Sequence, residues 1–331
     1  MKGKDNMLQS SQQIVLRKPY QFVSHPSINY NSRNNNKIEC IVLHYTDENR
    51  EKSLSILDGS LGIEVSAHIL ISDEYVEGQS IVYDLVNALQ NAWHAGVSQW
   101  QKKAKPHLKT GKLTLNYNSF GIEIVNENQD IPEKEGGGIH FEPFQEHQIT
   151  AIIAICKELI EKYNIDPTCF VGHSDIAEDL GRKSDPGPLF PWRKLAEAGI
   201  GAWYDKEMVE KWQSLLPQEQ NISLVQKALE TYGYGISDDT KPASAPTRAL
   251  QMFQMHFRQS DYKGQLDRET NAILFNLVCK YFPQSQVALD IQHYLKESYS
   301  SSHANSFFAV KTTQALEEDP RSADSSFGFK K

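Results

Sequence analysis

Three side chains able to bind a metal stand where a fold could bring them together: His44, His173 and Asp185. His44 ends the apolar run Ile41-Val-Leu43. His173 lies in Gly172-His-Ser-Asp-Ile-Ala177, and Asp185 in Arg182-Lys-Ser-Asp-Pro-Gly-Pro188. Two imidazoles and one carboxylate make a zinc site that keeps a coordination position open for water. Zinc lowers the pKa of such a water towards neutrality and so makes a nucleophile. The combination therefore favours a hydrolase over a passive binder. Taken singly, each residue has a plainer reading. A histidine at a strand end can be held by a backbone hydrogen bond, and an aspartate before proline commonly opens a turn. Only their joint occurrence favours a metal.

The elements around them are legible from periodicity. Ile38 to Leu43 is nearly all apolar, as in a strand buried on both faces. Ala67 to Ile71, Phe120 to Val125 and Cys169 to Val171 are further strand candidates. Along the third of these four, Phe120, Ile122 and Ile124 face one side, while Gly121, Glu123 and Val125 face the other. Ile149, Ile152, Ile153, Cys156, Leu159, Ile160 and Tyr163 form one helical stripe, with Asn164 as a terminator. Buried strands mixed with such helices predict an α/β domain around a central sheet. His44 then leaves the first strand and His173 follows the last, so the two can converge without long loops.

Beyond Trp192 the α/β pattern gives way to helices. Leu224, Val225, Ala228 and Leu229 form one stripe, and Ala249, Leu250, Phe253, Met255 and Phe257 a second. Ala272, Ile273, Phe275, Leu277 and Val278 form a third, preceded by the capping sequence Asp267-Arg-Glu-Thr270. The expected organisation is an N-terminal extension over 1–35, an α/β domain over 36–203 and a linker over 204–220. A small all-α three-helix domain follows over 221–285, then a largely disordered tail over 286–331 that is rich in Ser, Ala, Asp and Lys.

Composition bounds the function. The 331 residues are 39% hydrophobic and 23% charged, with a net charge of −8 and a pI near 5.8. Nothing forms a basic footprint for nucleic acid. Lys102, Lys103, Lys105, Lys109 and Lys112 read as a solvated loop, with a lip for an anionic polymer as the second reading. No apolar run reaches the roughly 18 residues of a transmembrane helix. Residues 1–13 lack the apolar core of a secretory signal. Cys40, Cys156, Cys169 and Cys279 show no pairing by spacing and read as buried thiols.

Seven ordered motifs carry a resemblance. They are Ile41-Val-Leu-His-Tyr-Thr46, Ser66-Ala-His-Ile-Leu-Ile71, Ala92-Trp-His-Ala-Gly96, Asn118-Ser-Phe-Gly-Ile-Glu-Ile-Val-Asn126, the two ligand segments above, and Leu189-Phe-Pro-Trp192. Together they resemble the zinc-dependent N-acetylmuramoyl-L-alanine amidases of the amidase_2 family, which also includes the peptidoglycan recognition proteins. Among these, the two-domain envelope enzymes of Gram-negative bacteria are the nearest in pattern.

The resemblance implies a central mixed sheet flanked by helices. It implies a Zn2+ cofactor on His44, His173 and Asp185, with Glu123 as catalytic base and acid and Lys183 as electrophilic support. It implies that Trp93 and His94 line the substrate cleft and that His68 lies behind the metal ligands. The reaction would be hydrolysis of the amide between the lactyl group of N-acetylmuramic acid and L-alanine, in peptidoglycan or in muropeptides, anhydro forms included. Tyr232-Gly-Tyr-Gly235, Ala249 to Phe257 and Gly264 to Thr270 resemble a three-helix peptidoglycan-binding domain. The expected partner is peptidoglycan, the expected state a monomer. The expected place is the envelope or periplasm, with cytoplasmic or secreted alternatives because no signal peptide is legible. A non-catalytic muropeptide receptor remains the alternative function. A zinc peptidase lacks its His-Glu-x-x-His motif here. One departure stands out. His173 and Asp185 are 12 positions apart, longer than is usual in the family, which leaves Asp179 as a rival third ligand.

Overall fold

In the computed structural model, which describes residues 17–130, 139–177, 182–236 and 247–300, six strands form one sheet. They are β1 (Tyr20–Ser24), β2 (Cys40–Leu43), β3 (Ile69–Val76), β4 (Gln79–Asp84), β5 (Ser119–Ile124) and β6 (Phe170–Gly172). Their spatial order is β1-β4-β3-β5-β2-β6. Every neighbouring pair is parallel except β3 and β4, so the sheet is mixed. All four residues of β2 are buried, as its unbroken apolar run requires of a strand covered on both faces.

Helix α1 (Arg50–Leu57) follows β2, and α2 (Glu146–Tyr163) packs against β3 and β4. Helix α2 buries Ile149, Ile152, Ile155, Cys156 and Leu159 on one stripe. At its start the Gln145 N–H donates to Gln148 Oε1 at 3.0 Å. At its end Asn164 adopts the left-handed region at φ 54°, and its N–H donates to Ile160 O at 2.8 Å.

The topology sets up the site. β5, β2 and β6 are adjacent and parallel, so their C-terminal ends share one edge of the sheet. Open α/β sheets bind ligands at that edge. His44 is the residue after β2, and its N–H continues the ladder to Ile122 O at 2.9 Å. His173 is the residue after β6 and begins α3 (His173–Ile176), a single helical turn.

Two expectations change at the ends of the chain. The segment expected as an N-terminal extension is built into the sheet domain. Tyr20–Ser24 is an edge strand, and the Arg33 guanidinium is buried, donating to Ala88 O, Gln90 O, Tyr117 O and Ser119 O. The tail expected from residue 286 begins with a helix over 286–300 instead, because Ala288, Ile291 and Leu295 supply an apolar stripe that is buried. Residues 301–331 lie outside the described residues.

The helical part comprises α4 (Trp192–Glu197), α5 (Lys206–Leu215), α6 (Ile222–Tyr232), α7 (Thr247–Phe257), α8 (Arg268–Tyr281) and the helix over 286–300. Most of the segment expected as a linker is α5, which packs on α8. The apolar stripes of α6, α7 and α8 match those read from periodicity. They merge with the sheet's core in one continuous cluster through Trp100, Trp192, Tyr232 and Tyr234.

Candidate metal centre

His44, His173 and Asp185 meet at the C-terminal edge of the sheet, and all three are buried. His44 Nδ1 lies 3.1 Å from His173 Nδ1 and 2.8 Å from Asp185 Oδ2, and His173 Nδ1 is 3.1 Å from the same oxygen. The loop bearing Asp185 is tied to α3, since the Ser174 N–H donates to Asp185 O at 2.9 Å.

The hydrogen-bond network assigns the proton positions. Ser119 Oγ lies 2.7 Å from Leu115 O, and a carbonyl only accepts, so the hydroxyl donates there. Ser119 Oγ then accepts from His94 Nε2–H at 3.1 Å. Burial pushes the His94 pKa well down, so its ring is neutral and Nδ1 carries a lone pair. That lone pair accepts from His44 Nε2–H at 3.1 Å. Burial pushes His44 down to about 4, so it too is neutral and presents a bare Nδ1 to Asp185 and His173. Two bare acceptors only 2.8 Å apart, His44 Nδ1 and Asp185 Oδ2, repel unless a positive charge or a shared proton lies beside them. The donor set therefore fits a metal, and two imidazoles with one carboxylate are ordinary zinc ligands.

A cavity of about 350 Å³ opens on this cluster. Glu123, on β5, lines it beside the three candidate ligands. Its Oε2 is buried with no hydrogen-bond partner among the described residues. Burial pushes its carboxyl well up, the Asp185 charge adds to that, and Lys183 opposes both. Lys183 and Arg182 line the same cavity, and Ile56, Leu57, Val65 and Ile139 form apolar wall. The site thus sets a bare carboxylate oxygen and a cationic side chain around a cluster of metal-type donors.

The other sequence-predicted residues fall elsewhere. His94 is behind His44, not among the residues lining the cavity. Its ring fills space that a side chain at position 121 would need, since a Cβ on Gly121 would come within 2.4 Å of it. Trp93 is half-buried and also off the cavity lining; its Nε1–H donates to Asn31 Oδ1 at 3.3 Å. His68 stacks on Phe120 at 4.4 Å, accepts the Gly121 N–H at Nδ1, and stands one ring further back than His94. Asp179, the rival ligand, lies outside the described residues. Sequence reasoning gave no role to Ser119, Asp175, Tyr234 or His256, although each sits inside one of the segments that carry the resemblance.

The chain is also similar to known proteins over most of its length. The Amidase_2 family profile, described as N-acetylmuramoyl-L-alanine amidase, matches residues 34–188. The chain is 36% identical over 249 residues to the N-acetylmuramoyl-L-alanine amidase AmiD of Escherichia coli, covering 74% of this chain and 84% of that protein. Among solved structures, E. coli AmiD in complex with the substrate anhydro-N-acetylmuramic acid-L-Ala-D-gamma-Glu-L-Lys matches with a TM-score of 0.62 and 36% identity, over 76% of this chain and 91% of that one. AmpDh3 of Pseudomonas aeruginosa in complex with anhydromuramic pentapeptide matches with a TM-score of 0.63 and 35% identity, over 77% of this chain and 95% of that one.

Proposed function

The chain belongs to the N-acetylmuramoyl-L-alanine amidase family, and from that premise we propose that it hydrolyses the lactyl–L-alanine amide of peptidoglycan fragments with zinc held by His44, His173 and Asp185. The observation that carries this reading is the convergence of those three donor atoms next to the unpartnered Oε2 of Glu123. When bound, zinc supplies Lewis-acid polarisation and a water acidic enough to react at neutral pH.

The remaining work falls to the chain. Glu123 takes a proton from the attacking water at its free oxygen, for which the raised carboxyl affinity suits it. The water oxygen bonds to the lactyl carbonyl carbon. As the C–N bond breaks, Glu123 returns the proton to the departing amine of L-alanine. Lys183 offers its ammonium to the charge that gathers on the carbonyl oxygen. His94 orients His44 from behind through the hydrogen bond from His44 Nε2–H. Trp93 supports the neighbouring segment through Asn31.

The substrate class is peptidoglycan-derived muropeptide, anhydro forms included, as in the ligands that the two relatives' structures contain. Action on wall-derived material favours the cell envelope as its place of work. No helix among the described residues is long and apolar enough to cross a membrane. One chain supplies all three candidate ligands, so a monomer would hold a complete centre. Incubation with purified sacculi and with anhydro-muropeptide tests the proposal. Free L-alanine amino termini on intact sugar chains are expected, with activity lost to a chelator and restored by zinc. Release of disaccharides or of single amino acids would refute it.

A further inference from the structure

Asp175 carries a carboxylate that the chemistry above does not use. It is 1% exposed and lies within α3, two residues after His173. Its Oδ2 accepts the Gly172 N–H at 2.8 Å. Its other two partners come from the helical region. The Tyr234 hydroxyl donates to Oδ1 at 2.7 Å, and His256 Nδ1 lies 2.8 Å from Oδ2. A carboxylate only accepts, so His256 presents a proton at Nδ1. Both donors are themselves held. His256 is stacked between Trp192 at 3.8 Å and Phe257 at 4.1 Å, and Tyr234 sits edge-on to Trp100 at 5.1 Å.

A single helical turn is not stable on its own account. α3 nevertheless positions both loop-side ligands. It begins with His173, and its Ser174 N–H holds Asp185 O. Gly172 lets the two segments approach, since a Cβ there would lie 2.6 Å from Pro186 Cδ. The corner that Asp175 anchors is therefore the corner from which His173 and Asp185 both hang.

We infer that Tyr234 and His256 are positioning residues for the metal centre: by saturating the Asp175 carboxylate they fix the turn that carries His173 and Asp185, so that part of the metal affinity resides in the helical region. Both residues lie outside the segment that matches the family profile, which ends at 188. The inference rests on the metal reading proposed above. It gives the helical region a task separate from any contact with wall polymer. Without one of these donors a buried charge is left short of a hydrogen bond, and α3 shifts to recover one.

The test uses the full chain and zinc alone as the probe. Zinc affinity is measured by competition with a chromophoric chelator for wild type, Tyr234→Phe, His256→Leu, the double variant and His256→Asn, which keeps an N–H donor. Removing an outer partner of a ligand typically costs about 10–100-fold in metal affinity. Kd is expected to rise about 10-fold in each single variant and further in the double, with His256→Asn close to wild type. KM for a soluble muropeptide stays unchanged, and excess zinc restores kcat. A Kd within about twofold of wild type in Tyr234→Phe and the double variant overturns the inference, even if Tm falls. If the double variant does not fold, Tyr234→Phe, which loses one hydroxyl only, decides by the same criterion. A wild-type chain that binds no zinc fails the metal reading itself, a result distinct from equal affinities across the series.

Discussion

His44 and the pair His173 and Asp185 direct donor atoms at one point, but the chain supports them by different means. His44 ends a fully buried strand, and behind it runs a line of neutral donors and acceptors, His94, Ser119 and Leu115 O, all inside the sheet domain. His173 and Asp185 sit on a single turn and a loop, and their brace comes from Tyr234 and His256 through Asp175. A strand end has its direction fixed by the ladder on either side, so a chain of neutral hydrogen bonds suffices to set the ring's tautomer. A turn has no such frame and needs a charged anchor in a dry environment, where a satisfied carboxylate is held most firmly. Half of the centre is thus native to the sheet, and half depends on chain beyond it.

The largest expected effects treat the two halves alike. His44→Ala and Asp185→Ala should each lose stoichiometric metal by elemental analysis, and amidase activity with it, since two protein donors do not make a structural or catalytic zinc site. Retained metal in Asp185→Ala would remove the loop side from the comparison and return Asp179 to contention. Glu123→Gln separates chemistry from binding. Metal should stay bound, while kcat falls by about 10²–10⁴-fold, the usual worth of a positioned acid–base group.

Next in size are changes behind His44. His94→Phe keeps the ring's bulk but strands the His44 Nε2–H in a dry site, at a cost of about 1–3 kcal/mol. Zinc affinity should fall by about 10–100-fold in a competition assay. Gly121→Ala should act in the same direction from a distance, because the added Cβ would overlap the His94 ring. Its expected signature is lower zinc affinity together with about 1–3 kcal/mol less stability in urea. If either variant binds zinc as wild type does, the rear support of His44 is dispensable and the two halves differ less than their contacts suggest.

The two halves also differ in how far the sequence disclosed them. Two of the candidate ligands were legible because strand ends are: Ile41-Val-Leu43 and Cys169-Phe-Val171 read as buried strands, with His44 directly after the first and His173 two positions past the second, whereas Asp185 rested on its motif alone. The strand that bears Glu123 was legible from alternation, although the role expected of Glu123 came only from the family resemblance, and α2 was legible as an unbroken stripe closed by Asn164. The edge of the sheet was not. β4 opens with buried Gln79 and Ser80, and β1 leaves Phe22 half exposed, so neither shows the apolar signature of a core strand. The brace on Asp175 could not be seen either. In His-Ser-Asp-Ile the aspartate looks like a helix-start residue, and its partners stand 59 and 81 positions away. His94 was read towards the cleft because its motif suggested a wall. Only the packing of its ring against the backbone of Gly121 turns it to the rear.

The smallest expected effect tests how local the loop-side brace is. Helix α7 is followed by Gln259, whose Nε2–H donates to Phe190 O at 2.6 Å, five residues beyond Asp185. This is a second link between the helical region and the ligand loop, but it differs in kind from the one at Asp175. The acceptor is a neutral carbonyl, and the segment has other restraints, since the Phe190 ring packs edge-on against Phe144 at 5.3 Å and Trp192 at 4.8 Å. Gln259→Ala should therefore cost only about 0.5–1.5 kcal/mol in urea unfolding, the net worth of one uncharged hydrogen bond. Zinc affinity should stay within about twofold, well short of what losing an outer partner of a ligand costs. If Gln259→Ala weakened zinc as much as Tyr234→Phe, the helical region would steady the loop through its whole contact surface, and the carboxylate of Asp175 would be one strut among several.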